Sequence, residues 1–464
     1  MSKEDSEWNE TEFEEIRLGD ERLNVRAIKL LGQLSAQPQD FINQACEDWA
    51  ATKAAYRFFD NEGVRPEAIL SPHHERVCER MRGQNLVLAI QDTTELDYSA
   101  HPKTKGLGPI GNKRDGVQGL LLHTTLAVTA QGLPLGLLTQ QIWAREAQSR
   151  QQEYEHRATA LKDKESSKWL NALKLTLERA PCEAQVVTVC DREADIFEFL
   201  LEAAQERASY VVRAAQDRRL MVKGETLWRH LKQCAVAGNL SVEVARKKKE
   251  PTRTARVGVR YERVEVRPPQ RLKKVRMEPW EPVWVWTVYV TEENPPPGVT
   301  PLEWMLLTNI EVADFKAAVK RIEWYVLRWL IEIYFKILKS GCRVEQTSLA
   351  TGERIKRYLA LMSVVAWRLF WLTYINRQDA EASCRSILTE DEWQALYCKV
   401  RKTTILPDQP PTAREAIRWI AQLGGFLGRK HDGEPGVTVL WRGWQRLNDI
   451  VDTWRLLNSP FTYG

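Results

Sequence analysis

The sequence predicts an α/β protein with a sheet of mixed strand direction at its centre, a β-strand insertion in that sheet domain, and helical segments on both sides. Three observations lead to this prediction. From about residue 85 to residue 212, short apolar runs alternate with amphipathic segments, which favours strands and helices of one sheet domain. The chain before residue 82 and after residue 376 carries apolar side chains at helical spacing. Residues 214–302 show the period-two alternation of strands.

The first 82 residues predict a helical unit. Apolar side chains recur at helical spacing from Asp20 to about Ser35, and further helices are expected from Trp49 to Phe59 and from Pro66 to Met81. Small helical units with exposed arginines often read DNA, and equally often serve as scaffolds. Spacing alone leaves both alternatives open.

Two aspartates follow predicted strands in the central region. The apolar run Leu86–Ile90 predicts a buried strand with Asp92 at its end, and Val186–Cys190 predicts another with Asp191 at its end. Like charges held close repel each other unless a cation lies between them, so two aspartates with a helical glutamate favour a divalent metal site. The alternative, commoner for a single aspartate, is that each one caps the turn or helix after it. The region also predicts a hairpin around Gln131–Gly132, a helix from Ser167 to Arg179 and a strand through Tyr210–Arg213.

A predicted long amphipathic helix carries Tyr325, Arg328, Glu332 and Lys339 at the spacing Y-x2-R-x3-E-x6-K. At roughly 100° per residue, these side chains fall within about 60° of one another on the helix surface. One face is therefore expected in the core, while the other presents a carboxylate flanked by cations. A solvated polar face is the alternative for this helix taken alone. The apolar side chains expected on the opposite face are Val326, Leu327, Leu330, Ile331, Tyr334, Ile337 and Leu338.

Basic residues are concentrated in the predicted insertion. Between Arg246 and Arg276 there are thirteen Lys or Arg residues and three acidic ones. Such a surplus predicts a surface for a polyanion, where phosphate contacts supply affinity rather than sequence choice. A solvated hairpin is the alternative. Alternating apolar residues from Val257 to Val266 and from Val283 to Val290 favour β-structure over a disordered tail.

Composition narrows the class of protein. A chain of 464 residues is long enough for two or three domains. No apolar run approaches the roughly 20 residues that span a bilayer, and the first twenty residues are acidic, so we expect a cytoplasmic protein without a membrane partner. The cysteines lack a C-x-x-C pair and a histidine cluster, so neither zinc nor a disulfide framework is expected. They are Cys46, Cys78, Cys182, Cys190, Cys234, Cys342, Cys384 and Cys398.

Three of these features together resemble the bacterial cut-and-paste DDE transposases, specifically the insertion-sequence-four group with the YREK signature. They are Asp92 in Asp-Thr-Thr, Asp191 in Cys-Asp-Arg-Glu-Ala-Asp, and the helix from Tyr325 to Lys339. The resemblance covers almost the whole chain, because further segments match in order. These are Leu18–Asp20 with Arg22, Ala55–Phe58, Lys168–Leu170, Trp304 with Leu306–Thr308, Leu423–Phe426 and Leu440–Trp444.

The resemblance implies an RNase H-like mixed-sheet catalytic core with an inserted β-subdomain. It assigns residues 1–82 to a helical DNA-end-binding domain and residues 83–375 to the catalytic domain, with the insertion at about 214–302. Residues 376–464 become a helical C-terminal dimerisation domain.

The same resemblance implies that Asp92, Asp191 and Glu332 are catalytic and bind two Mg2+ ions per active site, for which Mn2+ substitutes. Carboxylates suit this role because Mg2+ prefers hard oxygen ligands, and two ions can activate the attacking oxygen and stabilise the leaving one. Hydrolysis would release a 3′-hydroxyl at the transposon end, which forms a hairpin before strand transfer. The implied partners are double-stranded transposon ends with terminal inverted repeats, target DNA, and a second copy of the chain in the DNA complex at the bacterial nucleoid.

The resemblance also implies DNA contacts for individual residues of the helix from Tyr325 to Lys339 and for two tryptophans. Tyr325, Arg328 and Lys339 match positions that contact phosphates near the transposon end. Trp304 matches a tryptophan whose pocket receives a flipped base, with burial in its strand as the alternative. Trp329 has a similar match.

Four arginines outside this helix also match DNA-binding positions. Arg192 and Arg213 match positions that approach DNA, with salt bridges to nearby acids as the alternative. Arg26 and Arg57 match end-binding positions, whereas Ala36–Gln37 departs from the best-known relative. We infer a different terminal inverted repeat from that departure.

The C-terminal helices, expected near Thr389–Arg401, Thr412–Gly424 and Gly436–Leu457, resemble the dimerisation region. Tryptophans there offer apolar area for self-association, and intramolecular packing is the alternative. These are Trp441, Trp444 and Trp454.

Three functions fit these observations. A transposase accounts for the acidic triad, the basic insertion and the long match. A metal-dependent nuclease of the same fold needs the triad but no pairing of two DNA ends. A catalytically silent DNA-binding inhibitor of transposition is the non-enzymatic alternative; it usually arises by loss of the N-terminal helices, which this chain keeps.

Overall fold

The computed structural model contains a mixed sheet of 10 strands. Helices precede and follow this sheet in the chain. This arrangement confirms the predicted α/β class and is consistent with an RNase H-like core. The structure describes residues 8–46, 48–111, 116–146, 165–181, 183–244, 253–269, 280–375 and 380–458.

Five helices precede the sheet. They are α1 (Trp8–Glu12), α2 (Glu21–Ala36), α3 (Ile42–Ala45), α4 (Trp49–Asp60) and α5 (Pro66–Arg82). The side chains of Asp20 and Asp48 cap α2 and α4 by accepting backbone N–H bonds, and Pro66 occupies the first turn of α5, where its missing N–H is not needed. The three helices predicted from spacing are confirmed to within a residue or two.

The strands follow in an order that places β1 between β3 and β5. They are β1 (Leu86–Asp97), β2 (Gly108–Pro109), β3 (Gln118–Thr129), β4 (Pro134–Trp143), β5 (Gln185–Cys190), β6 (Ser209–Arg213), β7 (Gly238–Val244), β8 (Arg253–Val266), β9 (Val283–Glu292) and β10 (Glu303–Thr308). Their order is β2-β3-β1-β5-β6-β10-β9-β8-β7, with β4 also paired to β3. β1 runs antiparallel to β3 and parallel to β5, so the sheet has strands in both directions as predicted.

The predicted β-insertion extends this sheet. β7, β8 and β9 pair antiparallel in series, and β9 pairs with β10, so hydrogen bonding continues from the central strands into the insertion. The strands predicted from the alternating apolar residues of β8 and β9 are therefore confirmed. Much of the counted basic charge falls on residues 245–252 and 270–279, which lie outside the described residues.

The remaining helices pack around the sheet and form the C-terminal part. They are α6 (Ser167–Arg179), α7 (Phe197–Gln205), α8 (Leu227–Gln233), α9 (Phe315–Val326), α10 (Trp329–Lys336), α11 (Gly352–Ile375), α12 (Glu390–Arg401), α13 (Ala413–Leu423) and α14 (Val437–Asn458). Thr389 and Thr412 form capping boxes with Glu392 and Glu415, which explains why α12 and α13 begin where the sequence predicted.

α11 corrects the expectation that no apolar run approaches the length of a membrane span. By length and composition it is the one helix among the described residues that could cross a bilayer. However, 83% of its apolar window is buried inside the protein, as is usual for the core helix of a globular domain.

The C-terminal helices α13 and α14 cross at two glycines. A Cβ on Gly424 would meet the Val439 carbonyl oxygen, and one on Gly443 would meet the Ile420 carbonyl oxygen, each within 2 Å. No side chain larger than hydrogen fits this close approach of two backbones. One contact therefore explains Gly424 of Leu423–Phe426 and Gly443 of Leu440–Trp444.

Two of the three tryptophans expected to support self-association pack within the chain instead. Trp441 and Trp444 are buried, and the Trp444 indole N–H donates to the Ser35 carbonyl oxygen of α2 at 3.1 Å. Trp454 is half-buried. The exposed apolar side chains of α14 are Leu456 and Leu457, at 74% and 72%.

A buried polar cluster attaches α1 to α5. His73 Nε2 accepts the backbone N–H of Leu137, so its Nδ1 carries the proton and donates to the Glu12 carboxylate. Arg80 donates to both oxygens of Glu12 and lies 4.3 Å from the centroid of Trp367. Burial alone would raise the pKa of Glu12, but Arg80 and His73 outweigh it and lower that pKa to about 2.

We expect Glu12→Gln to lower the free energy of unfolding by about 3 kcal/mol at neutral pH, because Arg80 and His73 hold the pKa of the carboxylate at about 2 in the folded state. The stabilisation is complete above about pH 4.5 and is lost as the pH falls towards about 2, so the two proteins should converge in acid. Urea unfolding at several pH values measures this. Glu14→Gln, which removes an exposed partner of Arg76, is the matched control and should change stability by less than about 1 kcal/mol.

Candidate active site

The pairing of β1 with β5 brings the two aspartates together. In the parallel register, Gln91 lies beside Cys190, so the next residues, Asp92 and Asp191, emerge side by side on the same face of the sheet. Neighbouring strands are about 4.8 Å apart, which is close enough for two carboxylates to share a cation. The predicted meeting of two strand-borne aspartates is therefore seen in the fold.

Asp92 lies inside a strand, which corrects the prediction that its strand ends before it. β1 continues to Asp97, and Asp92 pairs with Thr124 of β3. One carboxylate oxygen accepts the Thr93 N–H at 2.7 Å. Burial raises the pKa of Asp92 to about 6, aided by the charges of Asp191 and Glu332 and opposed by Arg328. The three acids are thus close enough to influence one another.

Asp191 follows β5 directly, as predicted, and precedes a short 3₁₀ turn. Its side chain makes no capping hydrogen bond, so the capping alternative is not realised. Instead the Tyr325 hydroxyl donates to its Oδ1 at 2.9 Å, and Arg213 lies 3.9 Å away. Burial would raise the pKa of Asp191, but the charge of Arg328 lowers it below its ordinary value, together with hydrogen bonds from the Arg192 backbone and Tyr325 and the charge of Arg213.

Glu332 completes the acidic cluster from α10, which packs against β1. The Arg328 guanidinium bridges two of the acids, with Nη1 at 3.1 Å from Asp92 Oδ2 and Nη2 at 2.6 Å from Glu332 Oε1. Its pKa is raised, because the surrounding acids and Tyr325 outweigh the opposing effect of burial. Three carboxylates from distant parts of the chain therefore surround one cation.

The signature segment, from Phe315 to Gly341, consists of three helical pieces. This corrects the prediction of one long regular helix. α9 ends at Val326, α10 begins at Trp329, and a π-helical segment follows from Ile337 to Gly341. Backbone hydrogen bonds from Arg328 to Tyr325 and from Leu330 to Leu327 show a tighter turn between α9 and α10. Consequently Val326, which was expected in the core, is 43% exposed.

The signature side chains occupy distinct environments along this segment. Tyr325 is buried rather than on a solvated face, and its ring packs edge-on against Trp304 at 5.4 Å between centroids. Trp304 is half-buried in β10, whereas Trp329 is 49% exposed. Lys339 lies in the π-helical segment, where its ammonium is 3.6 Å from Glu345.

The four arginines outside the signature segment divide into two pairs. Arg213 borders the acidic cluster and donates to the Glu303 carbonyl oxygen, while Arg192 is exposed on the turn after Asp191. Arg57 is exposed on α4 and Arg26 is half-buried on α2, both in the N-terminal helical part.

Two further buried side chains lie near the cluster, and the sequence signals one of them but not the other. His123 of β3 lies opposite Thr93 and hydrogen-bonds its hydroxyl at 2.9 Å, and burial lowers the pKa of His123 to about 3, so it is neutral. Lys168 is 7% exposed and its ammonium lies 3.3 Å from Glu193. The segment Lys168–Leu170 already signalled that position, whereas the position of His123 depends on strand register and has no sequence signal.

The donor set of this cluster fits divalent cations. Asp92, Asp191 and Glu332 offer hard carboxylate oxygens, which Mg2+ and Mn2+ prefer, and each is partly open to solvent. The single Arg328 guanidinium contacts two of these acids and does not balance the formal charge of three. These three residues are therefore the candidate metal ligands.

Comparison with protein families finds two matches at the ends of the chain. Residues 5–64 match the family described as Transposase DNA-binding, and residues 364–462 match the Transposase Tn5 dimerisation domain. Together the matches support a DNA transposase of this type, with DNA binding and homodimer formation. The domain boundaries at residues 82 and 375 stay predictions.

We expect Arg328→Met to lower the free energy of unfolding by about 2–3 kcal/mol at about pH 8, because it leaves Asp92 and Glu332 without their shared cation in a partly buried site. Below the pKa of Asp92, at about 6, the loss should shrink as that acid takes up a proton. Chemical denaturation at both pH values measures the effect. Arg192→Met, an exposed neighbour, is the control; an equal loss in both variants would contradict the bridging role.

Proposed function

We propose that this chain is a cut-and-paste DNA transposase of the hairpin-forming DDE type. The observation that carries the proposal is the convergence of Asp92, Asp191 and Glu332 around one cation. The matches to transposase DNA-binding and dimerisation domains at the two ends of the chain support it.

The three carboxylates would hold two Mg2+ ions, or Mn2+ in their place. When bound, these ions would activate an attacking oxygen and stabilise the leaving oxygen of a phosphodiester. The protein's own contribution is to fix the carboxylates on rigid elements. Asp92 is held within a strand ladder, and Tyr325 orients Asp191 through its hydroxyl.

We propose three successive reactions at this site: hydrolysis that frees a 3′-hydroxyl, hairpin formation on the opposite strand and its reopening, and strand transfer into target DNA. Each is an in-line displacement at a phosphodiester, so one set of carboxylates can serve all of them. Cations at the rim of the cluster would hold the DNA backbone. Arg213 borders Asp191, and Lys339 lies on the π-helical segment beyond Glu332.

The aromatic pair Trp304 and Tyr325 would support base flipping during hairpin formation. Trp304 stands edge-on to Tyr325, whose hydroxyl reaches Asp191, so a base stacked there would lie beside the acidic cluster. Stacking of one base on an aromatic ring contributes about 1–3 kcal/mol and offsets much of the unstacking cost. Trp329, half exposed at the start of α10, offers a second surface.

The flanking parts would position DNA for this chemistry. Arg26 on α2 and Arg57 on α4 belong to the matched DNA-binding segment and would contact the terminal inverted repeats. Two copies joined through the C-terminal part would bring two transposon ends together. The setting we propose is the bacterial cytoplasm, at the nucleoid.

We expect Asp92→Ala, Asp191→Ala and Glu332→Ala each to reduce Mg2+-dependent cleavage of a transposon end by more than about a thousandfold, because each removes one metal ligand. Binding to that end should persist, since the triad is not its main anchor. Gel assays of binding and cleavage on one DNA duplex separate these effects.

Asp97→Ala and Glu323→Ala are the matched controls, because these acids are exposed on β1 and α9. Normal cleavage by any one triad variant would refute the assignment. Cleavage of unrelated DNA at equal rates would instead indicate a nuclease, and end binding without cleavage by the wild-type protein would indicate an inhibitor.

We expect Lys339→Ala to weaken end binding and to reduce the slope of log affinity against log salt by about 1, because one phosphate contact is lost. Lys336→Ala, which removes an exposed lysine one turn earlier, should leave that slope unchanged. Fluorescence anisotropy over a salt series measures both. A slope that does not change in Lys339→Ala would count against a phosphate contact.

A further inference from the structure

A second group of metal-binding side chains lies where α8 meets β8. His230, Cys234 and Glu262 offer an imidazole nitrogen, a thiol sulfur and a carboxylate oxygen, and these atoms all lie within 4.8 Å of one another. The Cys234 thiol donates to Glu262 Oε2 at 3.4 Å. In the sheet, β8 is separated from β5 by β6, β10 and β9, so this group is distinct from the acidic cluster.

Helix and strand periodicity bring these residues together. Leu227 and Leu231 bury one face of α8, and the spacing of three and four residues places His230 and Cys234 beside them. Val264 of β8 packs in the same core cluster as these leucines. Glu262 precedes Val264 by two residues and therefore points to the side of the sheet that α8 covers.

The backbone around the three side chains is fixed by further hydrogen bonds. Arg260 Nε donates to the Cys234 carbonyl oxygen at 3.0 Å, and its Nη1 donates to the Thr291 hydroxyl at 3.1 Å. The Thr287 hydroxyl donates to the Glu262 carbonyl oxygen at 2.8 Å. The end of α8 is thus attached to β8 and β9 before any ion binds, which limits the reorganisation that binding would require.

We propose that His230, Cys234 and Glu262 bind one zinc ion. Nitrogen, sulfur and oxygen ligands are those of protein zinc sites, and three protein ligands leave a fourth tetrahedral position for water. A thiolate with an imidazole selects zinc over magnesium, which prefers oxygen ligands. On binding, the sulfur–hydrogen bond of Cys234 is replaced by a sulfur–zinc bond, and the proton leaves to solvent.

The proposed site departs from the expectation, drawn from cysteine spacing, that zinc does not bind this chain. His230 on α8 and Cys234 directly after it have the chelating spacing H-x3-C, but the third ligand, on β8, lies 28 residues after Cys234. Burial, together with Glu262, raises the pKa of Cys234 to about 11, so without metal the thiol stays protonated. The ion would fasten α8 to β8 within the insertion, independently of the proposed catalytic ions.

Titration of the full-length protein with Co2+ tests the proposal, because cobalt replaces zinc and a thiolate ligand produces a sulfur-to-cobalt charge-transfer band. The wild-type protein should develop this band at one equivalent, and Zn2+ but not Mg2+ should abolish it. Cobalt held by the carboxylates of Asp92, Asp191 and Glu332 cannot produce the band, since those ligands contain no sulfur.

The variants Cys234→Ser, His230→Gln and Glu262→Gln identify the ligands. Cys234→Ser should lack the band, and the other two should bind cobalt more than about a hundredfold more weakly, since loss of even an outer-shell partner costs about 10–100-fold. Cys398→Ser, a half-buried cysteine on α12, is the matched control and should keep the band. Circular dichroism of the metal-free variants verifies folding.

Absence of the band in the wild-type protein, or its persistence in Cys234→Ser, would overturn the proposal. Unchanged affinity in both His230→Gln and Glu262→Gln would do the same. Zn2+ should also raise the thermal midpoint of the wild-type protein and not of Cys234→Ser, which provides a second readout.

Discussion

The arrangement of this protein depends on one electrostatic constraint, namely that three carboxylates share a partly buried space only with a cation among them. Arg328 meets that constraint in the structure by contacting Asp92 and Glu332, while Tyr325 donates to Asp191. Burial raises the pKa of Asp92, which disfavours its charged form, and one guanidinium does not balance the formal charge of three carboxylates. A divalent cation held by these carboxylates would supply the missing positive charge.

The rest of the fold holds these groups in position. The β1–β5 register sets the separation of the aspartates, and α10 brings the glutamate against β1. Helices from both ends of the chain are attached to this core. Glu12 ties α1 to α5, and Trp444 of α14 hydrogen-bonds α2. The segments that match DNA-binding and dimerisation domains therefore share one hydrophobic core with the strands that carry the aspartates.

Much of the fold was predictable because its signals are local. The caps at Asp48, Thr389 and Thr412 and the alternation in β8 and β9 define elements whose limits the structure confirms closely. The incorrect predictions arise where tertiary packing overrides the regular geometry of a helix. The break between α9 and α10 and the π-helical segment cannot be read from a pattern that assumes one helical period, and they explain why Tyr325 is buried and Val326 is exposed.

The sequence by itself determined the α/β class, the strands that carry Asp92 and Asp191, and the resemblance of three acidic positions to a phosphoryl-transfer triad. Periodicity and capping depend on residues that are close in sequence, so they can be recognised from the sequence alone. Only the tertiary structure decided which side chains meet. Arg328 lies between two acids, and His230 and Cys234 meet Glu262, because strand register and helix docking join residues whose separation along the chain bears no relation to distance in space.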